Sequence, residues 1–316
     1  MKPSVRVALA CLFCALWGTG VTADYPEKPV TLVIPLSGGG SHDLNAQIIT
    51  SVIPAYLEQE MVVSFQPGDK GVKGTAMVAD ATPDGYTLLF SQNYIDMMLP
   101  HVEDLPYDPL EDFVPIARIN YAPSVVVVRA DSPYQTFEDL IDAAGANPDT
   151  VSASHSGEWG AIFVPIAQIM KQFGVKFELH SYQGGGPSFA ALLAGDVDFT
   201  LAFPASVADL MESGAVRVLA TAGSERLFLD VPCFPEVGIK GDVGFMHRMI
   251  LAPAATDPAV VDRLSSAFEA MLDDHSYVYL MGNLGENVDL LGPQDYQQLR
   301  VEQHRAYKAL FEATIN

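Results

Sequence analysis

The stretch Val30-Thr-Leu-Val-Ile-Pro-Leu-Ser-Gly-Gly-Gly-Ser-His-Asp43 decides how the chain is read. Val30 to Leu36 is an apolar run rich in β-branched residues, which predicts a buried strand. Gly38, Gly39 and Gly40 follow, and they allow backbone conformations that a Cβ forbids. Ser41 and Asp43 are both good N-caps, and Leu44, Ala46, Ile48 and Ile49 continue at helical spacing. A helix start with free N–H groups attracts anions. This strand, glycine loop and helix therefore predict one wall of an anion-holding cleft.

Upstream of this unit lies a leader. Lys2 and Arg6 form a short basic region, Val7 to Trp17 an apolar run, and Val21-Thr-Ala23 a small-residue cleavage pattern. Residues 1–23 read as a secretory signal peptide cleaved near Ala23. The run is shorter than the roughly 20 residues a bilayer span needs. Ala8-Leu9-Ala10 before Cys11 is a poor lipid-attachment signal. No second apolar span follows, so the expected product is exported and soluble. Its remaining cysteine, Cys233, has no partner for an internal disulfide and reads as a small packed residue.

The chain carries 17 basic and 39 acidic side chains, a formal net charge of −22. That balance argues against nucleic acid and anionic membranes as partners. It also means that long-range steering repels an anionic ligand. The plain explanation of the charge is solubility in a salty medium, where screening is strong.

Downstream, strands and helices alternate, which predicts an α/β architecture with mostly parallel sheets. Val125–Val128 reads as a buried strand. Thr136 is placed to cap a helix, and Asp257 to cap another. Ligands of such sheets lie beyond the carboxyl ends of strands, at helix starts. Three strand–loop–helix units have polar or glycine-rich loops there: 37–43, 154–160 and 183–188. One glycine loop is ordinarily a tight turn; three in matching positions point to a site.

These segments, in this order, resemble the substrate-binding proteins of tripartite tricarboxylate transporters, the Bug receptors. The resemblance rests on Tyr25-Pro-Glu-Lys-Pro-Val-Thr-Leu-Val-Ile-Pro35, Gly39-Gly40 with Asp43, Pro67-Gly68 with Gly71 and Gly74, and Pro83-Asp-Gly-Tyr-Thr-Leu-Leu89. It continues through Asp112-Phe-Val-Pro-Ile116, Tyr182-Gln-Gly-Gly-Gly-Pro187, Leu192-Leu-Ala-Gly-Asp-Val-Asp198, Val216-Arg-Val-Leu-Ala220 and Val231-Pro-Cys-Phe-Pro-Glu-Val-Gly238. Each piece is weak alone, and the ordered set is specific. It implies a periplasmic-binding-protein-like, two-lobe α/β flytrap with two crossing strands as hinge. Residues 24–123 with 248–316 would form lobe 1, and 124–247 lobe 2. It further implies a monomeric periplasmic receptor, without cofactor or catalysis. Such a receptor captures a small organic acid and delivers it to a large and a small membrane subunit.

In physical terms a carboxylate needs donors. Backbone N–H groups of Gly38, Gly39 and Gly40, and of the loop holding Ser156 and Gly157, supply them without charge. Ser37, Ser41, Ser154 and Ser156 add hydroxyls, and ordered water is expected to complete the shell, as the family resemblance implies. No Arg lies in the three loops, so a bidentate Arg clamp is not expected. The far end of the ligand is expected against Ser91, Gln92 and Asn93, against Tyr182, Gly184 and Gly185, and against the segment from Ala202 through Pro204 to Ser206. His42 reads either as a pH-sensitive contact or as a first-turn residue, and Asp43 as a helix-start group or a cleft residue. Phe163 stands where the family pattern has a histidine and reads more readily as core. Trp159, Tyr94 and Phe163 leave room for an aromatic or larger acid; mono-, di- and tricarboxylates stay open.

Two other functions fit parts of the sequence. An exported serine hydrolase would use Ser154, His155 or Ser156, but Ser156 lacks the glycine two residues before it that a nucleophile elbow requires. A ligand-sensing receptor feeding a membrane sensor kinase would share every binding feature. His155, His180, His247 and His304 show no metal-ligand spacing.

Overall fold

The computed structural model describes residues 25–157, 160–240 and 244–315. The signal-peptide reading of residues 1–23 and the aromatic reading of Trp159 fall outside the described residues. Among those described, no helix is long and apolar enough to cross a membrane.

Two sheets organise the chain. The first is built from β1 (Val30–Ile34), β2 (Met61–Phe65), β3 (Thr87–Gln92) and β4 (Phe113–Pro123). The chain then enters the second sheet with β5 (Val125–Arg129), β6 (Ser152–His155), β7 (Glu178–Ser181), β8 (Phe199–Ala202) and β9 (Val216–Thr221). It returns to the first with β10 (Phe245–Pro253) and β11 (Asn287–Leu291). Strand orders are β11-β4-β10-β3-β1-β2 and β7-β6-β8-β5-β9.

The helices are α1 (Ser41–Val52), α2 (Pro54–Leu57), α3 (Val72–Ala79), α4 (Phe137–Ala146), α5 (Phe163–Phe173), α6 (Gly185–Ala194) and α7 (Pro204–Glu212). After β10 come α8 (Pro258–Leu272), α9 (His275–Asn283) and α10 (Pro293–Ile315). Strand alternation places them on both faces of each sheet. Val30, Leu32 and Ile34 of β1 face the core shared with α1, α8 and α9, while Val33 faces the core on the other side. Val126 and Val128 of β5 pack with α4 and α5, and Val125 and Val127 with α6 and α7. Fully burying each such valine contributes roughly 1.5–3 kcal/mol, which accounts for the unbroken apolar run at 125–128.

The expectation of mostly parallel sheets needs correction. β1 pairs in parallel with β2 and β3, and β6 with β7 and β8. The strands that carry the chain between sheets run the other way: β10 is antiparallel to β3 and β4, and β5 to β8 and β9. β4 and β10 pair from Pro123 opposite Phe245 to Phe113 opposite Pro253. At the crossing, Ser124 donates its N–H to the Gly244 carbonyl (2.6 Å) and accepts from Ala222 N–H (2.7 Å). β11, α7 and α9 were not anticipated as elements, and β4 only at its end, where 120–123 reads as a crossing. Asn120 of β4 belongs to a polar floor, described below, whereas Arg118 pairs with Asp289 of β11 at 2.7 Å.

Candidate ligand-binding site

The loops after β1 and β3 face the loops after β6, β7 and β8 across a cleft. A cavity of about 590 Å3, its mouth included, lies between them. The first lobe contributes Ser37, Gly40, Ser41, His42, Gln92 and Tyr94; the second contributes Ser156, Gly184, Gly185, Ala202, Phe203 and Ser206. Leu36, Ile162, Phe189, Leu201 and Met246 complete an apolar wall. No carboxylate lines it.

Three helices begin at this cavity: α1, α6 and α7. Their N-cap positions are Gly40, Gly184 and Phe203, and none provides a side-chain acceptor for the first-turn N–H groups. α2, α3 and α5 also begin without a side-chain cap, whereas three other helices are capped. Thr136 and Asp139 form a full capping box on α4, Asp257 caps α8 and Asp274 caps α9. First-turn N–H groups have no intrahelical acceptor and carry the positive end of the helix dipole. Three such ends open on one cavity, although at α7 Pro204 has no N–H and Ser206 donates its own to the Phe203 carbonyl (2.8 Å).

Neither Ser41 nor Asp43 is the N-cap that the sequence suggests. Ser41 is the first helical residue. Asp43 reaches back one turn, accepting from Gly39 N–H (2.8 Å) and from Gln47 Nε2 (2.9 Å). The Gly39 N–H is thereby engaged within the loop.

Below Ser41 lies a buried polar floor that the sequence did not reveal. Arg248 of β10 is fully buried. Its Nη2 donates to Ser41 Oγ (2.8 Å), and its Nη1 to Glu286 Oε2 (2.7 Å) and Asn120 Oδ1 (3.1 Å). Asn120 Nδ2 donates to Asn45 Oδ1 (2.6 Å), and Asn45 Nδ2 donates to the Ser41 carbonyl (2.7 Å). A register shift between Arg248 and Met249 bends β10 where it pairs with β4, the kind of bulge that re-aims a side chain. The clamp expectation thus changes form. An arginine is present, but its charge is held by Glu286 and it orients the first helical hydroxyl.

His42 packs on Phe90, with ring centroids 4.7 Å apart. Burial, and then the nearby Arg248 charge, push its pKa down to about 3. It is therefore neutral at pH 7, with Nε2 3.4 Å from the Ser91 carbonyl.

The two jaws touch. A Cβ on Gly186 would lie 2.9 Å from the Gly38 carbonyl oxygen and 3.1 Å from Gly40 N; one on Gly40 would lie 3.2 Å from Gly186 N. Backbone meets backbone only because no side chain intervenes. By contrast, a side chain on Gly39 would point into open space.

Ser37, Gly40, His42, Gln92, Ser156, Gly184, Gly185 and Ala202 come together in the cavity, as does Tyr94. Gly157 and Tyr182 line a smaller adjoining cavity that shares Ser37, Ser156 and Gly184. Other expected residues are directed elsewhere. Ser154 is fully buried, donating to the Ser188 carbonyl and accepting from Ser188 Oγ (2.9 Å each). Ser91 and Asn93 flank Gln92 on β3 and its end, so strand alternation turns them away. Asn93 instead donates to the Phe245 carbonyl and accepts from His247 N–H (3.2 Å each). Pro204 begins α7 and abuts Gly285 of the first lobe. Gly38, Gly39 and Asp43 stand at the loop's outer edge, and Phe163 packs beside His155, with ring centroids 5.0 Å apart. Phe203 and Ser206, within the expected 202–206 segment, also line the cavity, whereas Phe189 and Met246 were missed.

Residues 46–315 match the family described as "Tripartite tricarboxylate transporter family receptor". The chain belongs to this receptor family. It is 30% identical over 314 residues to a Cupriavidus necator protein described as "UPF0065 protein in gbd 5'region", covering 98% of this chain and 95% of that one. Among solved structures, a Rhodopseudomonas palustris protein with adipate superposes with a TM-score of 0.87 at 25% identity, covering 92% of this chain and 98% of that one. MatC from Rhodopseudomonas palustris with bound malate superposes with a TM-score of 0.84 at 25% identity, covering 90% and 99%. The receptor family and the two-lobe fold thus agree with the resemblance drawn from the sequence.

Proposed function

We propose that this receptor captures a small organic acid in the cavity between its lobes, outside the inner membrane. It then delivers the acid to the large and small membrane subunits of a tripartite tricarboxylate-type transporter. The observation that carries this reading is the convergence of α1, α6 and α7, uncapped by side chains, on one cavity free of carboxylates. Neutral N–H donors attract an anion at short range despite a net charge of −22, because the repulsive field is screened beyond roughly 8 Å at physiological salt. The solved relatives hold malate and adipate, and that supports a carboxylate here.

In this reading Gly40, Ser41, Gly184, Gly185 and Ser206 hold the carboxylate, while Ser37, His42, Gln92, Ser156 and Ala202 shape the cavity around it. Lobe 1 comprises 24–123 and 248–316 and lobe 2 comprises 124–247, with closure about the β4–β10 crossing. A thermal-shift screen of organic acids on the protein lacking residues 1–23 tests it. An acid at 100 times its dissociation constant adds roughly 2.7 kcal/mol of stability. Absence of any shift across mono-, di- and tricarboxylates, together with turnover of an ester, would replace the receptor by a hydrolase.

A further inference from the structure

We propose that Asp96 and Arg300 are positioning residues for ligand binding: they pin the back of a turn whose front presents Tyr94 to the main cavity. The inference rests on the reading of that cavity as the acid site, and it adds to the site two residues that do not line it.

β3 ends at Gln92, and the chain passes almost at once into a π-helical turn, Tyr94–Met98, closed by the Leu99 N–H donating to the Tyr94 carbonyl. Such wide turns are rare and frequently stand at functional sites. Of its five residues, only Tyr94 reaches the main cavity. Residues two apart in a helical turn do not share a side, and Asp96 faces α10 instead. There Arg300, fully buried, donates from Nε to Asp96 Oδ2 (2.8 Å) and from Nη2 to Asp96 Oδ1 (2.7 Å). The guanidinium is itself held: Nη1 donates to Gln297 Oε1 (2.7 Å) and Nη2 to the Pro109 carbonyl. His304, one turn further along α10, brings its Nε2 within 2.9 Å of the Asp96 carbonyl. So α10 grips both the side chain and the backbone of the turn's middle residue.

The start of the turn is fastened separately, by Asn93, which holds the crossing strand β10 through the Phe245 carbonyl and the His247 N–H. Anchored at both places, the turn leaves Tyr94 little freedom against the ligand. Stability alone does not account for the buried pair, because well-packed apolar residues of similar volume are often as stable or more so. What an apolar pair lacks is a fixed geometry. The two parallel N–H···O bonds of an arginine fork set distance and angle together.

The test is a double-mutant cycle read as affinity, with the organic acid that gives the wild type its largest thermal shift. Calorimetry compares wild type, the apolar pair Asp96→Leu with Arg300→Met, Tyr94→Ala, and all three substitutions together. The apolar pair should melt close to wild type yet bind the acid about tenfold or more weakly. Tyr94→Ala should lose a similar factor. The combined variant should lose about as much as Tyr94→Ala alone, because groups that act through one another are not additive. If the apolar pair does not fold, Asp96→Asn, which keeps the shape and one acceptor, takes its place in the cycle. Wild-type affinity in the pair variant or in Tyr94→Ala, or losses that multiply in the combined variant, would overturn the positioning role. A wild type that binds no organic acid would instead count against the acid reading of the cavity.

Discussion

The two lobes support the cavity with opposite chemistry. Beneath α1, lobe 1 uses ions: Arg248 and Glu286, both side chains fully buried and 2.7 Å apart, with Asn45 and Asn120 completing the ring. Beneath α6, lobe 2 uses neutral hydroxyls: Ser154, Ser188 and Thr200, fully buried and linked at 2.9 and 3.3 Å. Both arrangements fix a helix start. The ionic floor is rigid but exacting, since a buried charge that loses its partner is costly. The hydroxyl floor tolerates loss better, because neutral groups carry a smaller desolvation penalty. The difference teaches that the floor beneath α1 depends on charge in a way the floor beneath α6 does not.

The sharpest way to break this contrast is Arg248→Met. It strands Glu286 and should cost about 3–5 kcal/mol by urea denaturation. Adding Glu286→Gln should recover most of that loss; no recovery would show that packing, not charge, dominates the floor. A smaller effect concerns pH. His42 has its pKa lowered to about 3 in the folded state against an ordinary value near 6.5. The unfolded chain therefore takes up a proton that the folded chain refuses. Stability is full above pH 6.5 and falls as pH drops toward 3, by up to about 1.4 kcal/mol per pH unit from this group. His247, lowered to about 4 by burial and then by Arg118, adds a second slope between 6.5 and 4. Denaturation of His42→Gln across this range should show a shallower slope than wild type. The smallest effect belongs to lobe 2. Ser188→Ala should cost about 1 kcal/mol with no change in pH slope; a loss like that of Arg248→Met would erase the distinction between the floors.

Much of the fold was legible because its signals are local. The valine run at 125–128, the Thr136 capping box and the Asp257 cap follow from alternation and capping chemistry acting over a few residues. The loops 37–43, 154–160 and 183–188 were found for the same reason. What escaped depends on pairing across the chain. Arg248 stands between Asn120 of β4 and Gln92 of β3, and Glu286 reaches it from a loop between α9 and β11; nothing near either residue announces the other. The same holds for Ser154, whose polar side chain suggested a ligand contact but is satisfied by Ser188 thirty-four residues away. Gly38, Gly39 and Gly40 read alike in the sequence, yet the close approach occurs at Gly40 because Gly186 meets it from the other lobe.

The central claim is that an acid is enclosed when the two uncapped glycine-rich helix starts meet. Calorimetry on Gly186→Val, using the acid that gives wild type its largest thermal shift, tests it most directly. Valine at 186 would collide with the Gly38–Gly40 backbone in the closed arrangement, where a Cβ already lies 2.9–3.1 Å from it. The account predicts an affinity loss of about 100-fold or more, as expected for a variant denied its binding-competent state, with the ligand-free melting temperature unchanged. Wild-type affinity in Gly186→Val would contradict it.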